Sequence, residues 1–157
     1  MDINEIMEAF GRDLGVEGLA PDADGVYGLD IDGMKIAVAE LPDAQLATWA
    51  EVCEPPPEGR ERLYRTLMEG MFLGEGTGGA AFSIERESGK VYLHRFDAIA
   101  ALDAGSFKAM LEKFVNVLEE WRSLIADFRP AFDELAKGED AARDERQDVG
   151  MGGFIQV

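Results

Sequence analysis

His94 is the one histidine of the chain, and imidazole is the side chain best suited to move protons or hold zinc near neutral pH. It sits in Val91-Tyr92-Leu93-His94-Arg95-Phe96, which alternates as a strand does, with no G-x-S-x-G turn and no second soft ligand nearby. A small hydrolase using His94 and neighbouring carboxylates therefore ranks below a histidine on a strand face or at an interface. Cys53 is the one cysteine, which excludes an intrachain disulfide or a thiolate cluster and fits a reducing compartment. No basic residue lies within four positions to activate it, so it reads as a small buried or interfacial thiol.

Two further patterns invite ligands. Gly74-Glu75-Gly76-Thr77-Gly78-Gly79 spells G-x-G-x-x-G, but a helical pattern precedes it and a strand follows, the reverse of the order that aims a helix N-terminus at pyrophosphate. It reads as a helix-to-strand connection. Asp22-Ala23-Asp24-Gly25 and Asp30-Ile31-Asp32-Gly33 place carboxylates together as calcium sites do, yet their glycines come too early for an EF-hand loop, and both read as turns. With 32 acidic residues in the chain, any pair of carboxylates could be imagined as a glycosidase dyad, so that pattern carries no specificity. No Walker sequence is present. No cofactor and no metal are expected, and the chain reads as a non-enzyme.

Charge narrows the partners. Against 32 acidic residues stand 15 basic ones, a formal charge of -17, which repels nucleic acid and anionic membrane surfaces and favours solubility or capture of cationic, amphipathic partners. MDINEIMEAF is acidic and amphipathic where a signal peptide is basic and then apolar, and no apolar run approaches the ~20 residues of a membrane span. A cytoplasmic protein without membrane insertion is expected.

The elements that must position these groups follow from periodicity. Ile3, Ile6, Met7, Phe10 and Leu14 recur at helical spacing, with Gly15 as the stop. Alternation then predicts strands from Val26 to Ile31 and from Met34 to Val38, joined by an Asp32-Gly33 hairpin, and a third from Leu46 to Cys53. Pro55, Pro56 and Pro57 end that segment, and a second helix carries Leu63, Tyr64, Leu67, Met68 and Met71. A second hairpin runs through Ala80, Phe82 and Ile84, a Ser88-Gly89 turn, and Lys90 to Phe96. In its returning strand Val91 and Leu93 face one way and Tyr92 and Phe96 the other, so both faces of the sheet need cover. Asp103 caps a long helix whose stripe is Phe107, Leu111, Phe114, Leu118, Trp121 and Ile125. Past Pro130 the pattern weakens, and 138–150 is charged and aperiodic, predicting no regular structure. Residues 1–130 read as a single domain and 131–157 as an acidic, flexible extension.

This α+β order, in an acidic chain of this size, resembles the Tir chaperone family, the class I type III secretion chaperones. Local sequence carries the resemblance further: Phe10-Gly11-Arg12-Asp13-Leu14-Gly15 in the early helix, the hairpin from Val26 to Val38, the helix and glycine turn from Leu63 to Phe82, and the run from Asp97 to Leu102. It covers residues 2 to 127. The extension past Pro130 and the apolar Phe154-Ile155-Gln156-Val157 depart from it.

The resemblance implies a homodimer of protomers, each a twisted antiparallel sheet flanked by helices, around which a secreted effector wraps its extended N-terminal segment and stays soluble for export. Extended peptides bind by adding to a sheet edge and dropping alternate side chains into apolar pockets. On that reading Phe10, Leu14, Leu29, Ile31, Ile36 and Val38 line the effector groove, and Tyr64, Leu67, Met68 and Met71 form the dimer seam. The secretion ATPase is a further partner the family suggests. The same fold could instead sequester an activator or anti-activator, a regulatory alternative that predicts a small cytoplasmic partner.

Overall fold

The computed structural model describes the backbone of residues 1–16 and 18–147, with side chains described as far as residue 127. Helix α1 spans Ile3–Leu14. The Asp2 carboxylate accepts the Glu5 N–H and the Glu5 carboxylate accepts the Asp2 N–H, both at 2.9 Å, a reciprocal cap that satisfies two otherwise orphaned donors. Gly15, at φ 68°, ends the helix in the left-handed region where glycine is unstrained.

Strands β1, Val26–Ile31, and β2, Met34–Leu41, follow as a hairpin. Asp32 and Gly33 turn it with φ of 51° and 80°, the positive pair that matches the twist of the flanking strands. A single 3₁₀ turn, Pro42–Ala44, leads to β3, Gln45–Cys53. Helix α2, Arg60–Gly70, comes after the prolines. Beyond the glycine loop lie β4, Ala81–Ile84, and β5, Val91–Ala98. All pairings are antiparallel, in the order β1-β2-β3-β5-β4. Because β5 inserts beside β3, the sheet's two edges are β1 and the short β4.

The last helix, α3, spans Ala104–Gln147. Asp103 and Ser106 cap it reciprocally, at 2.7 and 2.8 Å. The expected stripe from Phe107 to Ile125 is buried, joined by Met110 and Val115. The backbone corrects the expectation for 138–150 as far as Gln147: it stays helical through Pro130 and Gly138. Pro130 removes one N–H donor, whereas the Ala, Glu, Lys and Arg residues around it are strong helix formers. Residues 148–157, including Phe154 to Val157, lie outside the described residues.

All three helices pack on one face of the sheet. Tyr27, Ile36, Val38, Leu46, Ala50, Val91 and Leu93 point into that core, where Phe10 meets Phe107 edge-on with ring centroids 5.0 Å apart. The alternate residues, among them Trp49, Tyr92, His94 and Phe96, point the opposite way, and no described element lies over them. Of the two faces expected to need cover, the helices of one chain cover one.

Candidate binding surfaces

Three surfaces carry the candidate residues. The first is an open cleft of about 430 Å³ between α1, the β1–β2 hairpin and α3. Phe10 and Leu14 line it from α1, Ile31 and Asp32 from the hairpin, and Lys108, Leu111, Glu112, Val115 and Asn116 from α3. Its floor is apolar because Phe10 and Leu14 share a helical face one turn apart, and Leu111 and Val115 do the same on α3. Leu14 is 50% exposed, an apolar side chain held at the cleft mouth. The cleft lies beside β1, whose outer edge has no strand partner among the described residues.

Of the six proposed groove residues, the cleft gathers Phe10, Leu14 and Ile31. Leu29 is half-buried further along the same strand face. Ile36 and Val38 are a correction: at 1% and 0% exposure they are core, because alternation turns them towards α1 and α3, which seal them from any ligand. Leu111 and Val115 line the cleft, where those two do not. The signal for them was present, as an i, i+4 apolar pair on the flank of the long helical stripe.

The second surface brings all four proposed seam residues together. Tyr64, Leu67, Met68 and Met71 from α2 and the turn after it meet Phe82, Ile84 and Val91 of β4 and β5. Leu67 is buried and forms the base, while Met68 is 64% exposed and stands above it. Phe82 and Ile84 were missed, although their period-two spacing places them on one face of the edge strand. Methionine packs adaptably against irregular surfaces, and the Met71 sulfur also receives the Phe82 N–H at 3.5 Å, tying α2 to β4.

The third surface is the uncovered sheet face, which holds His94. Its Nδ1 lies 3.1 Å from Ser83 Oγ and its ring 5.2 Å from that of Phe96. Burial lowers its pKa from the ordinary 6.5. Among the described residues no carboxylate bonds to it, so the group that orients a catalytic imidazole in a triad is missing. The arrangement is that of a histidine packed on a strand face between Ser83 and Phe96.

The remaining motifs have structural employment. Asp22 Oδ1 accepts the N–H groups of Asp24 and Val26, each at 2.9 Å, and Asp30 Oδ1 accepts that of Gly33 at 3.0 Å. These carboxylates close turns. Among the described residues no cluster of three or more His, Cys, Asp or Glu could hold a metal ion. The glycine loop joins α2 to β4 as expected, and the carbonyl of Gly76 accepts the Trp121 indole. Among the described residues no helix is long and apolar enough to cross a membrane.

Comparison with known proteins adds family to fold. A Chlamydia pneumoniae protein, CPj0713/CpB0740, is 29% identical over 124 residues, covering 77% of this chain and 94% of that one. The HopA1–SchA chaperone–effector complex superposes with TM-score 0.64 at 16% identity, over 76% of this chain and 92% of that chain. The Yersinia pestis type III secretion chaperone SycH, solved with a stable fragment of YscM2, gives 0.57 at 17% identity, over 74% and 96%. Both structures share this fold. The model of the Tir chaperone protein (CesT) family matches residues 5–122, three quarters of the sequence, and the chain belongs to that family.

Proposed function

We propose that this protein is a type III secretion chaperone that holds the extended N-terminal segment of a secreted effector and keeps it soluble until export. The observation that carries the reading is the apolar cleft of Phe10, Leu14, Ile31, Leu111 and Val115, open beside the free edge of β1. An added strand finds backbone partners at that edge and a pocket for its side chains next to it. The family match supports the reading, as do similar folds solved as a chaperone–effector complex and a type III secretion chaperone complex.

On this reading no bond is made or broken, the protein works in the bacterial cytoplasm, and its body is residues 1–130, with 131–157 an acidic extension. A second copy docks through Tyr64, Leu67, Met68 and Met71, leaving the cleft of each protomer free. The charge of -17 steers basic effector sequence towards the clamp.

The test is capture of the full chain from its native cytoplasm, followed by limited proteolysis and mapping of the protected partner segment. A secreted protein protected through an extended N-terminal segment is expected. A small cytoplasmic protein in its place supports the regulatory alternative, and a monomer that recovers no partner sinks the proposal.

A further inference from the structure

We propose that Asp22 and Gly28 set how the cargo strand sits on β1: Asp22 limits the free edge to two backbone ports, and the cargo residue paired with Gly28 lays an aromatic side chain over the sheet face turned away from the helices. The inference rests on the chaperone reading above and names what that same edge selects. Val26 opens β1, and its backbone groups are already engaged on the side away from β2. Its carbonyl accepts the Asp22 N–H and its N–H donates to Asp22 Oδ1, each at 2.9 Å. Backbone direction along a strand repeats at every second residue, so the groups of Gly28 and Asp30 point the same way. Among the described residues no strand lies beside them. At Asp32 the hairpin turns. An added strand therefore finds its N–H and C=O partners at Gly28 and Asp30.

The ports decide which cargo residue faces which way. Tyr27, Leu29 and Ile31 turn towards the helices, so cargo residues beside Leu29 and Ile31 reach the cleft, and the residue opposite Gly28 points to the other face. There Gly28, Ala37 and Trp49 succeed one another in register across β1, β2 and β3, lining a hollow of about 390 Å³. Nothing within the chain asks for glycine at position 28: its φ lies outside the left-handed region, and an added Cβ would meet nothing within 4 Å beyond its chain neighbours. Glycine weakens a strand interior, and one without a cause in its own fold marks the close approach of another group.

Distance decides the size of that group. Ala37 lies two strand spacings from the cargo backbone, about 10 Å, so a short side chain opposite Gly28 leaves the hollow empty. An aromatic one lies across Gly28 and Ala37 and meets the Trp49 ring beyond them, as aromatic side chains do over glycine in paired strands. Charge does not select here. Lys35 stands opposite Asp30, and Lys90 is bound to Glu51 at 2.9 Å, so the ionic groups around the hollow are matched within the chain and shape is what remains to be read.

The test titrates the full chain, Gly28→Val and Leu14→Asp with the partner segment that the full chain protects from proteolysis. Gly28→Val fills the hollow and keeps the backbone ports, and valine suits a strand, so the unfolding midpoint should hold or rise while affinity falls about tenfold or more. Alanine substitutions along the segment should expose two sensitive sets an odd number of residues apart. The set holding the aromatic residue loses its effect in Gly28→Val, and the other loses its effect in Leu14→Asp. Affinity lost in Leu14→Asp and kept in Gly28→Val overturns the aromatic site and leaves the chaperone reading standing; affinity kept in both overturns both. If Gly28→Val lowers the midpoint, Ala37→Leu closes the hollow from β2 and is read the same way. In the unsubstituted chain, the bound segment should slow hydrogen exchange at the Gly28 and Asp30 amides and leave Val26 unchanged; slowing at Val26 as well overturns the part given to Asp22.

Discussion

The indole Nε1 of Trp121 donates to the carbonyl oxygen of Gly76 at 2.8 Å. The same ring fills the space beside Gly70, where an added Cβ would lie 2.2 Å from its Cη2, and a Cβ on Gly76 would lie 2.3 Å from the Gly70 carbonyl oxygen. Trp121 thus clasps the end of α2 to the glycine loop and β4. Gly70→Ala is expected to cost about 3 kcal/mol by overpacking, read as a lower midpoint in urea denaturation. Trp121→Phe, which loses the donor and shortens the ring that packs beside Gly70, should cost about 2 kcal/mol or more.

Thr48 is fully buried between Val38 and Arg95 in the sheet register, and its hydroxyl has no hydrogen-bond partner among the described residues. An unpaired buried hydroxyl carries its full desolvation penalty. Thr48→Val, nearly identical in shape, should therefore stabilise the protein by about 1 kcal/mol, seen as a raised denaturation midpoint. A loss of stability would show that the hydroxyl is satisfied in solution.

His94 supplies a pH signature. Its pKa is lowered in the folded protein because burial penalises the charged imidazolium. The folded chain therefore binds this proton less readily than the unfolded one. Its contribution to stability is complete above the unfolded pKa, about 6.5, and is lost as pH falls towards the lower folded value. Because it is the one histidine, a single imidazole NMR signal should titrate with a midpoint below 6.5, and His94→Gln should remove that part of the pH slope. A midpoint at or above 6.5 contradicts the burial argument.

Leu14 should separate binding from folding. It stands half in solvent at the mouth of the cleft, so Leu14→Asp removes an apolar anchor with a change in stability of about 0.5 kcal/mol or less. Partner affinity, measured by calorimetry with the captured segment, should fall about tenfold.

Met68 plays the same part at the other surface. Met68→Glu places a charge on the proposed two-fold seam, where each copy meets its own image. The expected result is a shift from dimer to monomer in sedimentation, with the unfolding transition of the protomer retained. A dimer that persists unaltered would place the contact elsewhere.

Element by element, the sequence pattern carried most of the fold. Asp32-Gly33 announced its hairpin because few pairs tolerate two positive φ values, and the stripe from Phe107 to Ile125 announced α3. Strand order was hidden: the insertion of β5 between β3 and β4 is decided by pairings far apart in sequence. Ile36 and Val38 show the same limit from another side. Period two says that they share a face, and only the positions of α1 and α3 say that the face is sealed. The glycine loop read correctly as a connection, yet the demand for a glycine at position 70 comes from the ring of Trp121, far along the chain, and that at position 76 from the Gly70 carbonyl.

The free edge of β1 has a mechanical consequence. A segment paired along a strand edge is held by a row of backbone hydrogen bonds, each worth only about 1 kcal/mol net. Loaded evenly, the row resists together. Pulled from one end, as an export channel pulls a threaded chain, it fails like a zip, one bond at a time, and no single step meets the whole binding energy. On the chaperone reading, a clamp of this shape would hold its cargo firmly against diffusion and yield to directional traction.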